Sequence, residues 1–354
     1  MPGRSPLRVT GVGMALLAAA LFGASTPLAK GLLQDTSPQL LAGLLYLGSG
    51  AGLLLVWLGR RGGTRREAAL SRRDVPWLAG AIASGGVLGP VLLMYGLLHA
   101  PASSASLLLN LEGVFTTLIA WAVFREHVPL RIALGMVAIV AGGALLSWEG
   151  HVAWDSIWGP LTVTGACLCW AIDNNLTQKV SAGDPVQIAQ IKGLVAGAVN
   201  TGLALSFGAR LPAPLPVAAA LLVGFFGFGV SLVCFVLALR ALGSARTGAY
   251  FSLSPFIGAA LGLLLYREPV TPLFLGAAAL MALGLWLHLS ERHEHSHEHQ
   301  PLEHAHSHIH DEHHEHAHLP GDPTGEPHTH PHRHDELAHS HPHYPDIHHR
   351  HGHR

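Results

Sequence analysis

Over the first 290 residues, long apolar runs alternate with short polar or turn-forming stretches. Neither a 3.6-residue stripe nor strict two-residue alternation describes these runs. A helix that crosses a bilayer needs about 20 apolar residues at 1.5 Å rise each. Ten runs meet that length and predict ten spanning helices, at residues 10–30, 38–58, 75–98, 102–124, 130–148, 157–180, 184–207, 216–240, 246–266 and 270–290. The connections are short and carry Pro, Gly or charge, as at 35–38, 99–102 and 210–216. Gly and Ala crowd the runs, most densely at 80–89 and 224–229. Small residues let membrane helices approach closely, so a compact bundle is expected. The first run, with Arg4 and Arg8 ahead of it, has the look of a secretory signal. It continues without a break through Pro27 to Lys30 and is taken as a retained span. After residue 290 the pattern changes to His-x-His, mixed with acidic residues and Pro.

Composition sharpens this division. Only 12% of the chain is charged, against about 25% in a soluble domain, which argues against a soluble enzyme. The net charge of −1 is a cancellation: residues 1–290 carry 17 basic and 10 acidic side chains, the last 64 residues 4 and 12. The basic excess orients the bundle. With a cytoplasmic N-terminus, the inner loops of the first five spans hold Arg4, Arg8, Arg60, Arg61, Arg65, Arg66, Arg72, Arg73, Arg125 and Arg131, and the outer loops Lys30 alone. Ten spans return the C-terminus to the cytoplasm, so both termini are expected there. Cys167, Cys169 and Cys234 all lie inside apolar runs and fit no zinc or disulfide framework. There is no phosphate loop, nucleophile arrangement or basic patch, which sets aside an enzyme, a required cofactor and a nucleic-acid partner.

Ionisable side chains inside spans cost roughly 2.5–3.5 kcal/mol on insertion scales and usually face a functional cavity. Three stand well inside: Glu112, Asp173 and Lys192. Asp173 heads the run Asp173-Asn174-Asn175, with Thr177 one helical turn on. The expected substrate or ion pathway is therefore Glu112, Asp173, Asn174, Asn175 and Lys192, with Glu112 the candidate for proton coupling. The alternatives are an Asp173–Lys192 ion pair that only ties helices together, and asparagines that act as interhelical glue. Pro27 is expected to break the first helix and expose backbone groups, and Pro255 to do so in the ninth.

The body also repeats. Phe124-Arg125-Glu126-His127-Val128 closes the fourth span and Tyr266-Arg267-Glu268-Pro269-Val270 the ninth. The same offset of 142 lays Leu111-Glu112-Gly113 on Leu253-Ser254-Pro255. Ser37-Pro38 and Asp184-Pro185 open the second and seventh spans. Five spans per unit turn the second unit upside down relative to the first, the arrangement of many secondary transporters. Arg125–Glu126 and Arg267–Glu268 read as local ion pairs at the membrane interface, with a gate as the alternative.

These residues resemble the drug/metabolite transporter superfamily, and within it the EamA-type repeat. The family's Leu-Glu-Pro-like motif appears as Leu111-Glu112-Gly113, and its later Gly-Glu as Arg125-Glu126 and Arg267-Glu268; a family basic residue of the second span appears once, as Lys192. The resemblance implies an inner-membrane exporter of small organic metabolites or drugs, acting by alternating access. The expected fold class is an all-α membrane protein of ten transmembrane helices in two inverted five-helix repeats, 1–148 and 149–290, with a disordered histidine-rich cytoplasmic tail, 291–354. The expected partners are the lipid bilayer, a small-molecule substrate and a second copy in a homodimer.

Of 27 histidines, 23 fall in that tail. The first clusters are His293, His295, His297 and His299, then His304, His306, His308, His310, His313, His314, His316 and His318. Too few apolar residues accompany them to bury a core, so disorder is expected. Imidazole suits Ni, Co and Zn, and such tracts are read compositionally as metal binding. A solvated extension without such a role and a pH-sensing segment are the alternatives. The tail also raises a second reading of the whole, a divalent-metal transporter with the tail as buffer or sensor. Against it, the spans hold no cluster of histidines: His99, His127, His151 and His288 sit in loops or near span ends.

Overall fold

The computed structural model describes residues 6–59, 70, 72–124, 128–148, 157–180, 184–242 and 244–290, and four tail segments, 294–299, 302–308, 328–334 and 337–342. The described body is helical throughout. Its helices are α1 (Pro6–Leu32), α2 (Pro38–Gly59), α3 (Val75–Ala81), α4 (Gly89–His99), α5 (Ala102–Leu108), α6 (Leu111–Phe124) and α7 (Leu130–Leu146). They continue as α8 (Trp158–Gln178), α9 (Pro185–Ser206), α10 (Pro214–Gly224), α11 (Ser231–Leu242), α12 (Ser244–Phe251), α13 (Ser254–Tyr266) and α14 (Pro272–Leu289). Two π-helical segments, Ile82–Leu88 and Phe225–Val230, join α3 to α4 and α10 to α11 without ending the rod.

The starts of these helices follow from local chemistry. Pro185 and Pro272 occupy first-turn positions, where the missing N–H costs nothing. Just ahead of them, Asp184 accepts the backbone N–H of Val186 at 2.8 Å, and Thr271 that of Phe274 at 3.1 Å.

Among the described residues, seven helices are long and apolar enough to cross a membrane, against the ten expected. The remaining three expected spans, 130–148, 157–180 and 246–266, differ for identifiable reasons. The first is an apolar helix of 17 residues, α7. The second, α8, carries Asp173, Asn174, Asn175 and Thr177 in its last turns. The third is divided at Ser252 and Leu253 into α12 and α13. The fourth span is divided likewise, at Leu109 and Asn110, so Glu112 stands in the first turn of α6 rather than within a continuous rod. α1 runs unbroken through Pro27, contrary to the expected break. Proline removes only the bond to the carbonyl four residues back, Gly23, and that oxygen lies against Gly258 of α13, where a methyl would come within 2.7 Å.

A shift of 142 residues carries Ala102 to Ser244, Leu130 to Pro272 and the first π segment onto the second to within a residue. The packing is reciprocal in the same sense. α1 lies against α11 and α13, and α8 against α4 and α6; α2 meets α9, α5 meets α13 and α7 meets α14. Glycines set the α2–α9 crossing. A methyl at Gly193 or Gly197, a Gly-x-x-x-Gly pair, would approach the backbone nitrogens of Gly50 and Leu47 at 2.6 and 2.5 Å. Leu40, Leu41, Leu45, Leu97, Leu107 and Leu108 form the buried apolar centre.

Four segments of the tail pair as strands. β1 (Glu294–His299) pairs antiparallel with β4 (Leu337–Pro342), and β2 (Leu302–His308) with β3 (His328–His334). The registers set His295 opposite His341 and His297 opposite His339, then His304 opposite His332, His306 opposite His330 and His308 opposite His328. His-x-His has the two-residue period of a strand, so this composition carries a strand pattern although it cannot bury a core. His293, His310, His313, His314, His316 and His318 lie outside the described residues.

A side chain in the α2–α9 seam should force the two helices apart. Gly197→Leu is expected to lower the melting temperature in detergent by the equivalent of about 1–3 kcal/mol of overpacking, whereas Gly13→Leu, where a Cβ meets nothing within 4 Å, is expected to leave it unchanged. Thermal unfolding followed by intrinsic fluorescence reads the difference.

Candidate functional site

Polar side chains from α6, α8 and α9 meet in the bundle, with α8 as the hub. Asp173 is buried, and both of its carboxylate oxygens accept from Lys192 Nζ of α9, at 2.6 and 2.8 Å. Thr177, one turn further along α8, donates to Asp173 Oδ1 at 2.8 Å and lies 3.2 Å from Lys192 Nζ. The next residue on α8, Asn174, turns toward α6 and donates to Glu112 Oε1 at 2.7 Å. One helix thus holds two arms, an ion pair on one side and an amide–carboxylate bond on the other. Among the described residues no Lys, Arg or His comes within ion-pair distance of Glu112. Its partner is a neutral amide, and Asn174 is itself exposed.

Asn175 stands apart from this arrangement. It donates to Ala171 O within its own helix at 2.8 Å and reaches Thr116 O of α6 at 3.5 Å, which suits a tie between α8 and α6. Burial of the Asp173–Lys192 pair explains why only some of the ionisable set can be structural. Two opposite charges in contact are self-satisfied, whereas Glu112 makes no ion pair among the described residues.

The wall of the site is the first π segment, a feature that sequence reading missed. A π turn leaves carbonyls without their usual α-helical partner, and in hydrocarbon each must find a donor. Tyr46 of α2 donates to Gly85 O at 2.8 Å and Trp170 of α8 to the same oxygen at 2.9 Å. Asn200 of α9 reaches Gly86 O and Val87 O, both at 3.3 Å. Gly85 itself is packed against the Asp173 side chain, leaving no room there for a Cβ. The available signal was the glycine run at 80–89 together with single polar or aromatic residues, Tyr46, Trp170 and Asn200, within apolar spans.

The matching place in the second half is plainer. Gly227 of the second π segment packs against Ser25 of α1 as Gly85 does against Asp173. Ser25 donates to Phe22 O at 2.6 Å, and the adjoining pocket of about 170 Å³ is lined by Leu21, Leu28, Leu222, Val223 and Phe226. Tyr46 joins the two halves, since its ring also lies 5.5 Å from that of Phe228. None of the residues lining this matching place is ionisable, so the polar cluster around Asp173 has no charged counterpart there.

The Arg-Glu motifs divide. Arg125 and Glu126 lie outside the described residues. Arg267 takes a left-handed conformation, φ 50°, where α13 ends. Glu268 does not form the expected local ion pair with it; its carboxylate accepts the backbone N–H groups of Ala102 and Ser103, at 2.6 and 2.9 Å. The αL turn at Arg267 carries the chain across to the α4–α5 turn, so the backbone there outcompetes the neighbouring guanidinium. Pro255 sits in the first turn of α13, where the ninth span is divided. Among the described residues no three His, Cys, Asp or Glu side chains come together as a metal site.

Removing one member of the ion pair leaves a buried charge, at a cost of about 3–5 kcal/mol. Asp173→Asn is expected to destabilise the protein by that order, and adding Lys192→Met to recover most of the loss. Thermal unfolding of the single and double variants checks both statements.

The chain is similar to a transporter described as uncharacterized from Methanothermobacter thermautotrophicus, with 29% identity over 279 residues, which cover 74% of this chain and 81% of that protein. It is similar over a shorter stretch to a probable terminal-alkyne amino-acid exporter of Streptantibioticus cattleyicolor, with 34% identity over 88 residues, 25% of this chain and 29% of that one. A solved crystal structure shares the fold at a TM-score of 0.58, with 17% identity, covering 81% of this chain and 96% of that one. The model of the EamA-like transporter family matches twice, at residues 9–148 and 157–290. The protein, with its polar cluster held between helices of an apolar bundle, belongs to the EamA-like transporter family.

Proposed function

We propose that the protein exports a small organic molecule across the cytoplasmic membrane by alternating access, with Glu112, Asn174, Asp173 and Lys192 lining the pathway. The observation that carries this reading is Glu112, a carboxylate within an apolar bundle whose partner is an amide rather than a cation. A proton or a cationic group of the substrate supplies the missing positive charge. The Asp173–Lys192 pair keeps α8 in place while Glu112 exchanges partners. The amino-acid exporter among the similar proteins supports a small metabolite as cargo and export as the direction.

In this reading residues 1–148 and 149–290 are inverted five-helix units that rock against one another. The 142-residue correspondence of elements and the reciprocal packing support it, as does the match of the family model to each half. Basic inner loops support cytoplasmic termini. The experiment is transport by purified protein in liposomes. Glu112→Gln, which keeps the shape and removes the titration, is expected to abolish the pH dependence of transport and to lower its rate about tenfold or more, within the range for loss of a proton-transfer group. Wild-type rates and pH dependence in that variant would sink the role of Glu112.

For the tail, we infer binding of nickel, cobalt or zinc as a cytoplasmic buffer or sensor. Its 23 histidines and the opposed histidine registers support this. Truncation after Ser290 is expected to remove retained metal in equilibrium dialysis and to leave liposome transport of the organic substrate unchanged; metal retention equal to that of the full chain would refute it.

A further inference from the structure

At the end of the bundle opposite the tail, α4 turns into α5 through Ala100 and Pro101 alone. Such a turn strands the last carbonyls of α4 and the first N–H groups of α5. Pro101, at the cap position of α5, supplies no side-chain bond. The missing partners come from elsewhere in the chain. Lys30 of α1 donates to Leu97 O at 3.0 Å and to Ala100 O, at the carbonyl end of α4. Glu268, just past α13, accepts from Ala102 and Ser103 at the amide end of α5. A cation thus lies on the negative end of one helix and an anion on the positive end of the next, each in its favoured place. Tyr266 adds a bond from the end of α13 to Pro27 O of α1, at 2.7 Å.

The seam beneath this clasp is smooth. Gly262 of α13 packs on Ala102 and Ser103, and Gly258 on Ser106, so backbone meets backbone with little interlocking between side chains. A seam of small residues parts without pulling large apolar side chains into new surroundings. What holds it shut at this end is then the set of polar bonds from Lys30, Tyr266 and Glu268.

We propose that Lys30, Tyr266 and Glu268 form the gate that closes the pathway on the face opposite the tail, and that the structure has this gate shut. Opening breaks the Glu268 bonds to Ala102 and Ser103 and lets the α4–α5 hairpin swing from α13. Closing re-forms them. Lys30 reaches the α4–α5 turn from α1 and Glu268 reaches it from the end of α13, while Tyr266 ties α13 to α1, so the gate registers the position of the α4–α5 hairpin against α1 and α13 together. These are positioning residues; they touch backbone and not cargo. The proposal rests on the alternating-access reading, but its test needs no substrate, so the two can fail separately.

Ser106 lies buried one turn inside the clasp and serves as the reporter. Ser106→Cys is placed in a chain whose Cys167, Cys169 and Cys234 are replaced by serine or alanine, and a membrane-impermeant thiol reagent is applied from either face of sealed vesicles. Glu268→Gln and Lys30→Met are each expected to raise labelling from the face opposite the tail about tenfold, the equilibrium shift that roughly 1.4 kcal/mol represents. Labelling from the tail face should stay level or fall, and Lys30→Arg, which keeps the donors, should return most of the protection. Unchanged labelling in both variants would overturn the gate. So would an equal rise from both faces, the sign of a loosened bundle with these residues acting only as structural staples.

Discussion

Within hydrocarbon no water is at hand for a backbone N–H or C=O, and every departure from the α-helix must find its partner inside the protein. That constraint organises this chain. The first π segment frees carbonyls, and Tyr46, Trp170 and Asn200 arrive from three other helices to meet them. The two-residue turn between α4 and α5 strands groups at two helix ends, and Lys30 and Glu268 arrive from opposite halves of the sequence. At the break ahead of α6, Asn110 turns back onto Leu107 O at 2.8 Å. The irregular places are therefore also where distant parts of the chain are tied together.

Function and packing share this economy of polar groups. Small residues carry the helix crossings, which leaves few polar side chains in the bundle; the hydroxyls of Thr36, Thr201 and Thr247 are buried there without a hydrogen-bond partner among the described residues. Asp173 spends its charge on Lys192 and Thr177. Glu112 differs because its only side-chain partner among the described residues is the amide of Asn174. A group held in position without charge compensation is suited to exchange with a proton or a cationic cargo. The same separation distinguishes the site from the gate, whose charges answer helix ends rather than each other.

Much of the architecture was legible from the sequence. Apolar run lengths located the helices to within a few residues, and the 142-residue offset between Leu111-Glu112-Gly113 and Leu253-Ser254-Pro255 marked corresponding positions in the two halves. Depth in apolar runs singled out Glu112, Asp173 and Lys192. Continuity was less legible. Pro27 looked like a break, but α1 runs through it, and the one carbonyl that proline releases lies against Gly258 of a neighbouring helix. Asn110 and Ser252 gave no comparable warning, although both lie where a span is divided. Local propensity does not record what a distant helix supplies.

The sequence by itself marked this chain as a membrane protein and picked out the apolar segments able to cross, with the charges they carry, because insertion into hydrocarbon is governed by the length and composition of contiguous segments. Its tail was likewise set apart by composition, and its His-x-His period already contained the strand alternation that the ladders display. Only the tertiary structure decided partnership. It joined Lys192 to Asp173 and Glu112 to Asn174, and it sent Glu268 to the backbone of Ala102 and Ser103 instead of to Arg267. Partners 62 or 166 residues apart along the chain meet only when helices pack, and the geometry of that packing rests on glycine contacts that no single segment encodes.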